Sequence, residues 1–454
     1  MLPFKDLERI VGADNVLTNP GDRSAYATDA KVKGRPPVAV ALPSTAVQVQ
    51  EIVQACAQRS VALIARGAGT GTAGGAVPES TAVVLDLSRM NRLLQIDGDN
   101  LLADVEPGLL LADFQNAVEE QGLFYGPDPA SRETSTLGGN AATNAGGLRA
   151  VKYGVTADWV QGLDVVLADG QLIHTGTRTR KGVVGYDLTR LFVGSEGTLG
   201  VITGLTLKLV PKPAAKQTLL AVFRQLRQAG DAVLAVLRCP VTPAAMELMD
   251  ATTIDVVRAH IGDLIPPEHA ALLLQVDGDV ATVDRETETL TALLADTAAT
   301  WVRRAADESE AEDLWAARRA ISPAMYEIRP QKMADDVAVP TTRLVELFEG
   351  VTRIAAENHV LYACYGHAGD GNVHVNFPYD PKDTTESYNA QQAREQMLRL
   401  VLELGGTLSG EHGVGIAKRA FVPWEQAAAL IDLQKRLKRA FDPLNILNPG
   451  KVFP

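Results

Sequence analysis

Ile64-Ala65-Arg66-Gly67-Ala68-Gly69-Thr70-Gly71-Thr72-Ala73-Gly74-Gly75 is the stretch from which the fold is read. The run Ala62 to Arg66 is strand-like and empties into a loop with five glycines. Glycine adopts positive φ and permits close backbone approach, so successive N–H groups can converge on a pyrophosphate. No GK[ST] follows, so this is not a Walker loop. The spacing Gly67-x-Gly69-x-x-Thr72 lacks the last glycine of a Rossmann fingerprint, and the expected downstream acidic residue is not clearly placed.

Outward from this loop, short β-branched runs alternate with helical stretches. Pro37 to Leu42, Ala82 to Leu87 and Leu101 to Glu106 read as strands, and Thr45 to Arg59 as a helix capped by Ser44 or Thr45. Leu163 to Leu167 and Gln171 to Thr175 flank Ala168-Asp169-Gly170, a hairpin signal. Gly200 to Leu209 reads as a strand that ends at Pro211 and Pro213. Beyond it, Gln217 to Arg224 reads as a strand, and Ala229 to Arg238, Thr282 to Ala295 and Glu308 to Ala320 as helices. Phe441 to Pro454 reads as an ordered strap. Strands and helices mix without strict βαβ repetition, which predicts an α+β fold. The expected domains are 1–213, 214–430 and a closing segment 431–454 that returns to the first.

A chain of 454 residues, 46% hydrophobic, suits two or three domains. No stretch reaches the roughly 18 to 20 uninterrupted apolar residues of a membrane span. Met1 to Arg9 mixes charges with apolar residues and does not read as a secretory signal. Cys56, Cys239 and Cys364 form no CxxC pair, which suits a reducing, cytoplasmic setting. The net charge of −12 argues against a broad nucleic-acid surface.

Two further stretches are too rich in small residues to be core: Gly126-Pro127-Asp128-Pro129-Ala130-Ser131, and Thr136-Leu137-Gly138-Gly139-Asn140-Ala141-Ala142-Thr143-Asn144-Ala145-Gly146-Gly147. Ordered protein of this kind accommodates a flat ligand or another backbone. A third, Leu191-Phe192-Val193-Gly194-Ser195-Glu196-Gly197-Thr198-Leu199-Gly200-Val201-Ile202, follows Gly185-Tyr186-Asp187-Leu188.

Together these segments resemble the flavin domain of the vanillyl-alcohol oxidase and p-cresol methylhydroxylase superfamily. The resemblance is to its branch of glycolate oxidase D subunits, D-lactate dehydrogenases and D-2-hydroxyglutarate dehydrogenases, and it covers nearly the whole chain. It implies a PCMH-type FAD domain followed by an α+β cap domain. By the same resemblance Arg66, Gly67, Ala68, Gly69, Thr70 and Gly71 cradle the FAD pyrophosphate. Pro127, Asp128, Ser131, Thr136, Gly138, Gly139, Thr143, Gly146, Glu196, Val201 and Ile202 would line the rest of the cofactor. Some members attach flavin through a histidine or cysteine. No histidine precedes His174 here, and the Arg66 to Gly75 loop has neither residue type, so non-covalent FAD is expected.

Gly366-His367-Ala368-Gly369-Asp370-Gly371-Asn372-Val373-His374-Val375-Asn376 reads as a hairpin turning at Asp370-Gly371. That register sets His367 opposite His374 on one face, near enough for both imidazoles to reach one metal. Asn376 points to the same face. Ser409-Gly410-Glu411-His412-Gly413-Val414-Gly415 supplies a carboxylate. Two histidines and a carboxylate suit a divalent Zn, Mn, Fe or Co with open positions. GHxGDGNxH and GEHGxG again resemble this branch, which implies that His367, His374 and Glu411 bind the metal and that His412 is the catalytic base. His174, His260, His269 and His359 lack such neighbours and read as structural or surface residues.

Trp315-Ala316-Ala317-Arg318-Arg319-Ala320-Ile321-Ser322 resembles the segment of this branch that clamps a substrate carboxylate. Arg318 stands at its arginine and Ser322 four residues on, with Lys332 a further candidate cation and Asn376 a candidate substrate contact. Asp442-Pro443-Leu444-Asn445-Ile446-Leu447-Asn448-Pro449-Gly450-Lys451 resembles the closing motif, which would bring Asn448 and Lys451 near the isoalloxazine.

The implied reaction is hydride transfer from a small D-2-hydroxy acid to FAD, with metal assistance. D-lactate is favoured over glycolate and D-2-hydroxyglutarate. The chain lacks an iron–sulfur cysteine motif, so a separate acceptor is expected: an iron–sulfur subunit, an electron-transferring flavoprotein, a cytochrome or a quinone. Peripheral association with a membrane would run through such a partner, and a homodimer stays open. A metal-dependent hydrolase built on the same histidines is the rival reading, and it leaves the glycine-rich loops unexplained.

Overall fold

The computed structural model describes residues 3–261, 265 and 269–454, with the side chains of His260 and Ile261 outside that set. The chain divides into two compact units: Met1–Gly146, Val155–Lys212 and Glu411–Pro454 form one, and Gly147–Gly154 with Pro213–Gly410 form the other. Both mix helices and sheets, as an α+β chain should.

In the first unit, a four-stranded sheet runs Val16–Leu17, Ala39–Ala41, Ala82–Asp86, Ala62–Arg66, its last two pairings parallel. The helix Ala46–Ala57 covers it, capped by Thr45, whose side chain accepts from the Gln48 amide. Val49, Ile52, Val53 and Cys56, spaced three and four apart, form the buried face of that helix. A five-stranded antiparallel sheet follows in the order Leu93–Asp97, Leu102–Val105, Val201–Lys208, Val160–Val166, Leu172–Gly176. The tail closes the unit. Leu63 donates to the Ile446 carbonyl at 2.7 Å and accepts from the Asn448 amide at 2.8 Å. Asp442 accepts from the amides of Ile446 and Leu447 and so fixes this strap after the helix Ala428–Phe441 ends.

The second unit is built on a seven-stranded antiparallel sheet: Ala299–Arg304, Ala215–Phe223, Ala270–Gly278, Ala245–Met249, Ala363–His367, Asn372–Tyr379, Gln331–Ala338. The helix Glu308–Ile328 packs on it through Leu314, Trp315, Ala317, Ile321, Ala324 and Met325. Asp307 caps this helix through the Glu310 amide.

Two segments fall elsewhere than the expected domains place them. Residues 147–154 belong with the second unit, because Lys152 and Tyr153 both donate to the Asp277 carboxylate there, at 2.5 and 2.8 Å. Residues 411–430 belong with the first, where Ile416 and Ala417 donate to the Ala73 carbonyl and Arg419 pairs with Glu79.

The hairpin register also departs from expectation. His367 lies opposite Asn372, and Tyr365 lies opposite His374. Ala368 to Gly371 form a four-residue turn in which the amides of Asp370 and Gly371 both bond to the His367 carbonyl. The Asp370 carboxylate accepts from the Asn372 amide and closes the turn. The partner position moves by two residues rather than one, so His367 and His374 keep a common face as diagonal neighbours.

Candidate active site in each unit

A cleft opens in the first unit beside the strand Ala62–Arg66, with an empty volume, mouth included, of about 1400 Å³. Its walls include Arg66, Gly67, Ala68, Gly69, Thr70, Gly71, Ser131, Thr136, Gly138, Gly139, Thr143, Gly146, Glu196 and Ile202. The glycines are placed by close approach. A Cβ on Gly67 would lie 2.2 Å from Thr136 Oγ1, and one on Gly138 2.5 Å from the Pro107 ring. A Cβ on Gly71 would meet nothing within 4 Å, because it faces the open cleft. The buried Asn140 Nδ2 and Ser135 Oγ on the same walls have no hydrogen-bond partner. A long, small-residue cradle with unsatisfied polar groups fits a dinucleotide such as FAD.

Four expected cofactor residues do not line this cleft. Val201 is buried in the sheet core, and alternation turns Ile202 to the cleft instead. The Pro127 carbonyl accepts from Gln115 Nε2, and Asp128 is not among the lining residues. Asn448 donates to the carbonyls of Gly75 and Glu196, so it staples the glycine loop to the Glu196 turn. Arg66 does reach the wall, but its guanidinium folds back over its own loop toward the Ala76 carbonyl and the Tyr26 ring. Pro107, outside the expected stretches, also lines the cleft.

Glu411 and His412 form part of the same wall, with His412 Nε2 3.6 Å from Glu411 Oε1. Their segment is held from behind. Glu196 stands at φ 52°, and its carboxylate accepts from the amides of Val414 and Gly415, each at 2.8 Å. Burial raises the Glu196 pKa above the ordinary carboxylate value, although these two amides pull the other way.

In the second unit, the ring centroids of His367 and His374 lie 5.2 Å apart. Arg318 and Ser322 sit one helical turn apart on Glu308–Ile328. Lys332 Nζ donates to Ser322 Oγ at 2.7 Å. The Tyr365 ring lies 4.5 Å from the Arg318 guanidinium and 5.4 Å from His374, and its hydroxyl bonds to Asn376 and Ser322. Burial raises the Tyr365 pKa above that of a free phenol. Register therefore sets Lys332, His367, His374 and Asn376 on one face of the sheet, where Ser322 of the helix bonds to Lys332 and Arg318 lies over Tyr365.

One member of this cluster was absent from the sequence reading. Glu247, fully buried on the strand Ala245–Met249, accepts from Arg318 Nε at 2.5 Å and from His367 Nδ1. Burial alone would raise its pKa, but Arg318 and His367 more than offset that and hold it below the ordinary carboxylate value.

Residues 212–452 match the family model "FAD linked oxidases, C-terminal domain", and residues 37–176 match "FAD binding domain". The glycolate oxidase subunit GlcD of Bacillus subtilis is 40% identical over 99% of this chain and 96% of its own length. A D-lactate dehydrogenase of Anaerostipes hadrus is 34% identical over 92% of this chain and 90% of its own. Among solved structures, p-cresol methylhydroxylase superposes with a TM-score of 0.84 at 20% identity, covering 99% of this chain and 96% of that one. The hydrolase reading finds no support in these matches. The cleft, the two matched domains and these relatives together make the chain a flavoprotein oxidoreductase that belongs to the FAD-linked oxidases.

Proposed function

We propose that this enzyme oxidises a short 2-hydroxy acid, D-lactate or glycolate, to the 2-oxo acid, using non-covalent FAD and a divalent metal. The observation that carries the reading is the pairing of one buried guanidinium, Arg318, with the His367–His374 face through the buried Glu247. Arg318 uses its Nε on Glu247 and makes no other hydrogen bond to protein among the described residues, which leaves its terminal nitrogens for a substrate carboxylate. The relatives' names, glycolate oxidase subunit and D-lactate dehydrogenase, support a substrate of this class.

His367, His374 and Glu411 are the proposed metal ligands. Gly410 packs against Asn372 of the same hairpin, and Glu411 is the next residue in the chain, which supports its joining the two histidines. When bound, FAD supplies a two-electron acceptor and the metal a Lewis acid. The protein's own work is then threefold. Arg318, with Ser322 and Lys332 beside it, orients the carboxylate; Asn376 holds the hydroxyl; and neutral His412 takes the hydroxyl proton on Nε2 or Nδ1. A longer diacid such as D-2-hydroxyglutarate would call on Lys332, which is already hydrogen-bonded to Ser322.

Among the described residues, no helix is long and apolar enough to cross a membrane. The Bacillus subtilis relative is named as a subunit, and we infer a separate protein acceptor for the electrons here too.

Anaerobic titration tests the reading. Purified protein with a flavin spectrum should bleach on adding D-lactate or glycolate, and a chelator should slow that bleaching. A yellow protein reduced by neither acid would overturn the substrate class. Full activity after exhaustive metal removal would overturn the metal.

A further inference from the structure

The strand Ala245–Met249 is buried along its whole length, and four of its five residues are apolar. Glu247 is the exception, at 0% exposure. Desolvating a carboxylate costs several kcal/mol, and an apolar residue in this position would avoid it. The partners Glu247 holds are informative. Register sets it directly across from His367 on the neighbouring strand. Oε1 accepts from His367 Nδ1, and Oε2 accepts from Arg318 Nε. Its two oxygens thus reach one residue from each of two proposed tasks: a metal ligand and the substrate-carboxylate clamp.

We propose that Glu247 is a positioning residue whose single carboxylate fixes both the tautomer of His367 and the aim of Arg318, so that metal affinity and substrate affinity are coupled through it. The inference rests on the metal and substrate reading above. Its chemistry is simple. A proton on Nδ1, donated to Glu247, leaves the lone pair on Nε2 for a metal. A carboxylate behind a ligating histidine also raises its basicity and locks its ring orientation. The same carboxylate, bonded to Arg318 Nε, fixes the plane of the guanidinium and therefore the direction of its remaining N–H groups.

Glu247→Gln separates this role from mere packing. Both partners are donors, and an amide has one acceptor and one donor, so it satisfies only one of them. Zn²⁺ affinity, measured by competition with a chromogenic chelator, should fall about 10- to 100-fold. KM for D-lactate should rise while kcat at saturating Zn²⁺ and substrate changes less. Ring-nitrogen NMR of ¹⁵N-histidine-labelled, metal-free protein should show the proton of His367 on Nδ1 in the wild type and a changed tautomer mixture in the variant. A purely structural role would lower the unfolding midpoint and leave Zn²⁺ affinity and KM unchanged, and that result would overturn the proposal. If the single variant does not fold, Glu247→Gln combined with Arg318→Met removes both charges together. Weakened Zn²⁺ binding in that pair supports the proposal, and wild-type binding overturns it. His374→Ala is the control. Zn²⁺ binding in the wild type that His374→Ala does not diminish would sink the metal reading and this inference with it. Binding that is lost in His374→Ala but untouched in Glu247→Gln would sink this inference alone.

Discussion

Glu196 and Gly415, far apart in sequence, are joined by a 2.8 Å hydrogen bond from the Gly415 amide to Glu196 Oε2, and Oε1 takes the neighbouring Val414 amide. One carboxylate therefore holds the backbone immediately after His412. Glu196→Gln keeps one acceptor and faces the other amide with an N–H. The loss should destabilise the protein by about 1.5–3 kcal/mol, the usual value of a charge-assisted hydrogen bond. Urea unfolding of variant and wild type checks it, and equal midpoints would show that the segment is held by other contacts.

Gly71 offers a cleaner probe of the cleft than its neighbours. A Cβ there meets no protein atom within 4 Å, whereas one on Gly138 would strike the Pro107 backbone. Gly71→Val should fold with near-wild-type stability yet bind FAD about five- to a hundredfold more weakly, as overpacking of 1–3 kcal/mol implies. Fluorescence titration of apoprotein with FAD measures this. Unchanged affinity would place the cofactor elsewhere.

His412→Ala should retain the flavin spectrum but lose about 10²- to 10⁴-fold in the rate of flavin reduction by substrate, the usual contribution of a general base. Stopped-flow absorbance under anaerobic conditions gives that rate. Reduction at the wild-type rate would remove His412 from the proton-transfer step.

The fully buried Asp250 gives a signed pH dependence. It caps the helix Ala251–Ile261 through the Thr253 amide, and burial raises its pKa to about 6 from the ordinary 3.8. The folded state then holds this proton more tightly than the unfolded chain. Stability from Asp250 is therefore fully present below about pH 4 and is lost as pH rises through about 6. Asp250→Asn keeps the cap and deletes the titration. The stability of the variant relative to the wild type should rise by about 2–3 kcal/mol between pH 4 and pH 7. Denaturant unfolding at the two pH values reads it, and a difference that does not move with pH would put the Asp250 pKa at its ordinary value.

Local signals in the sequence carried much of this architecture. The strand Ala62–Arg66 and its glycine loop are legible because glycine spacing and β-branched runs act over a few residues. The common face of His367 and His374 was legible from parity, although the register was not. Asp370-Gly371 reads as a two-residue turn, but the Asp370 carboxylate reaches forward to Asn372 and builds a four-residue one. Glu247 gives no local sign at all. It is one acid in an apolar strand, and its partners lie 71 and 120 positions away. The placement of residues 411–430 was hidden for the same reason, since the Glu196 contacts and the Ala73 carbonyl decide it across long stretches of chain. Strand alternation separates Val201, whose side chain is in the core, from Ile202, which lines the cleft.

The bridge between Leu63 and Leu447 sets an order of events during synthesis. Residues 213–410 leave the ribosome as one continuous run and can collapse while translation continues. The sheet that holds Ala62–Arg66, though made far earlier, waits for a strand-like partner translated only after residues 213–410. A nascent chain stopped short of Ile446 would leave both the N–H and the C=O of Leu63 without their mates. The unit whose strands are translated before residues 213–410 is thus completed only after them.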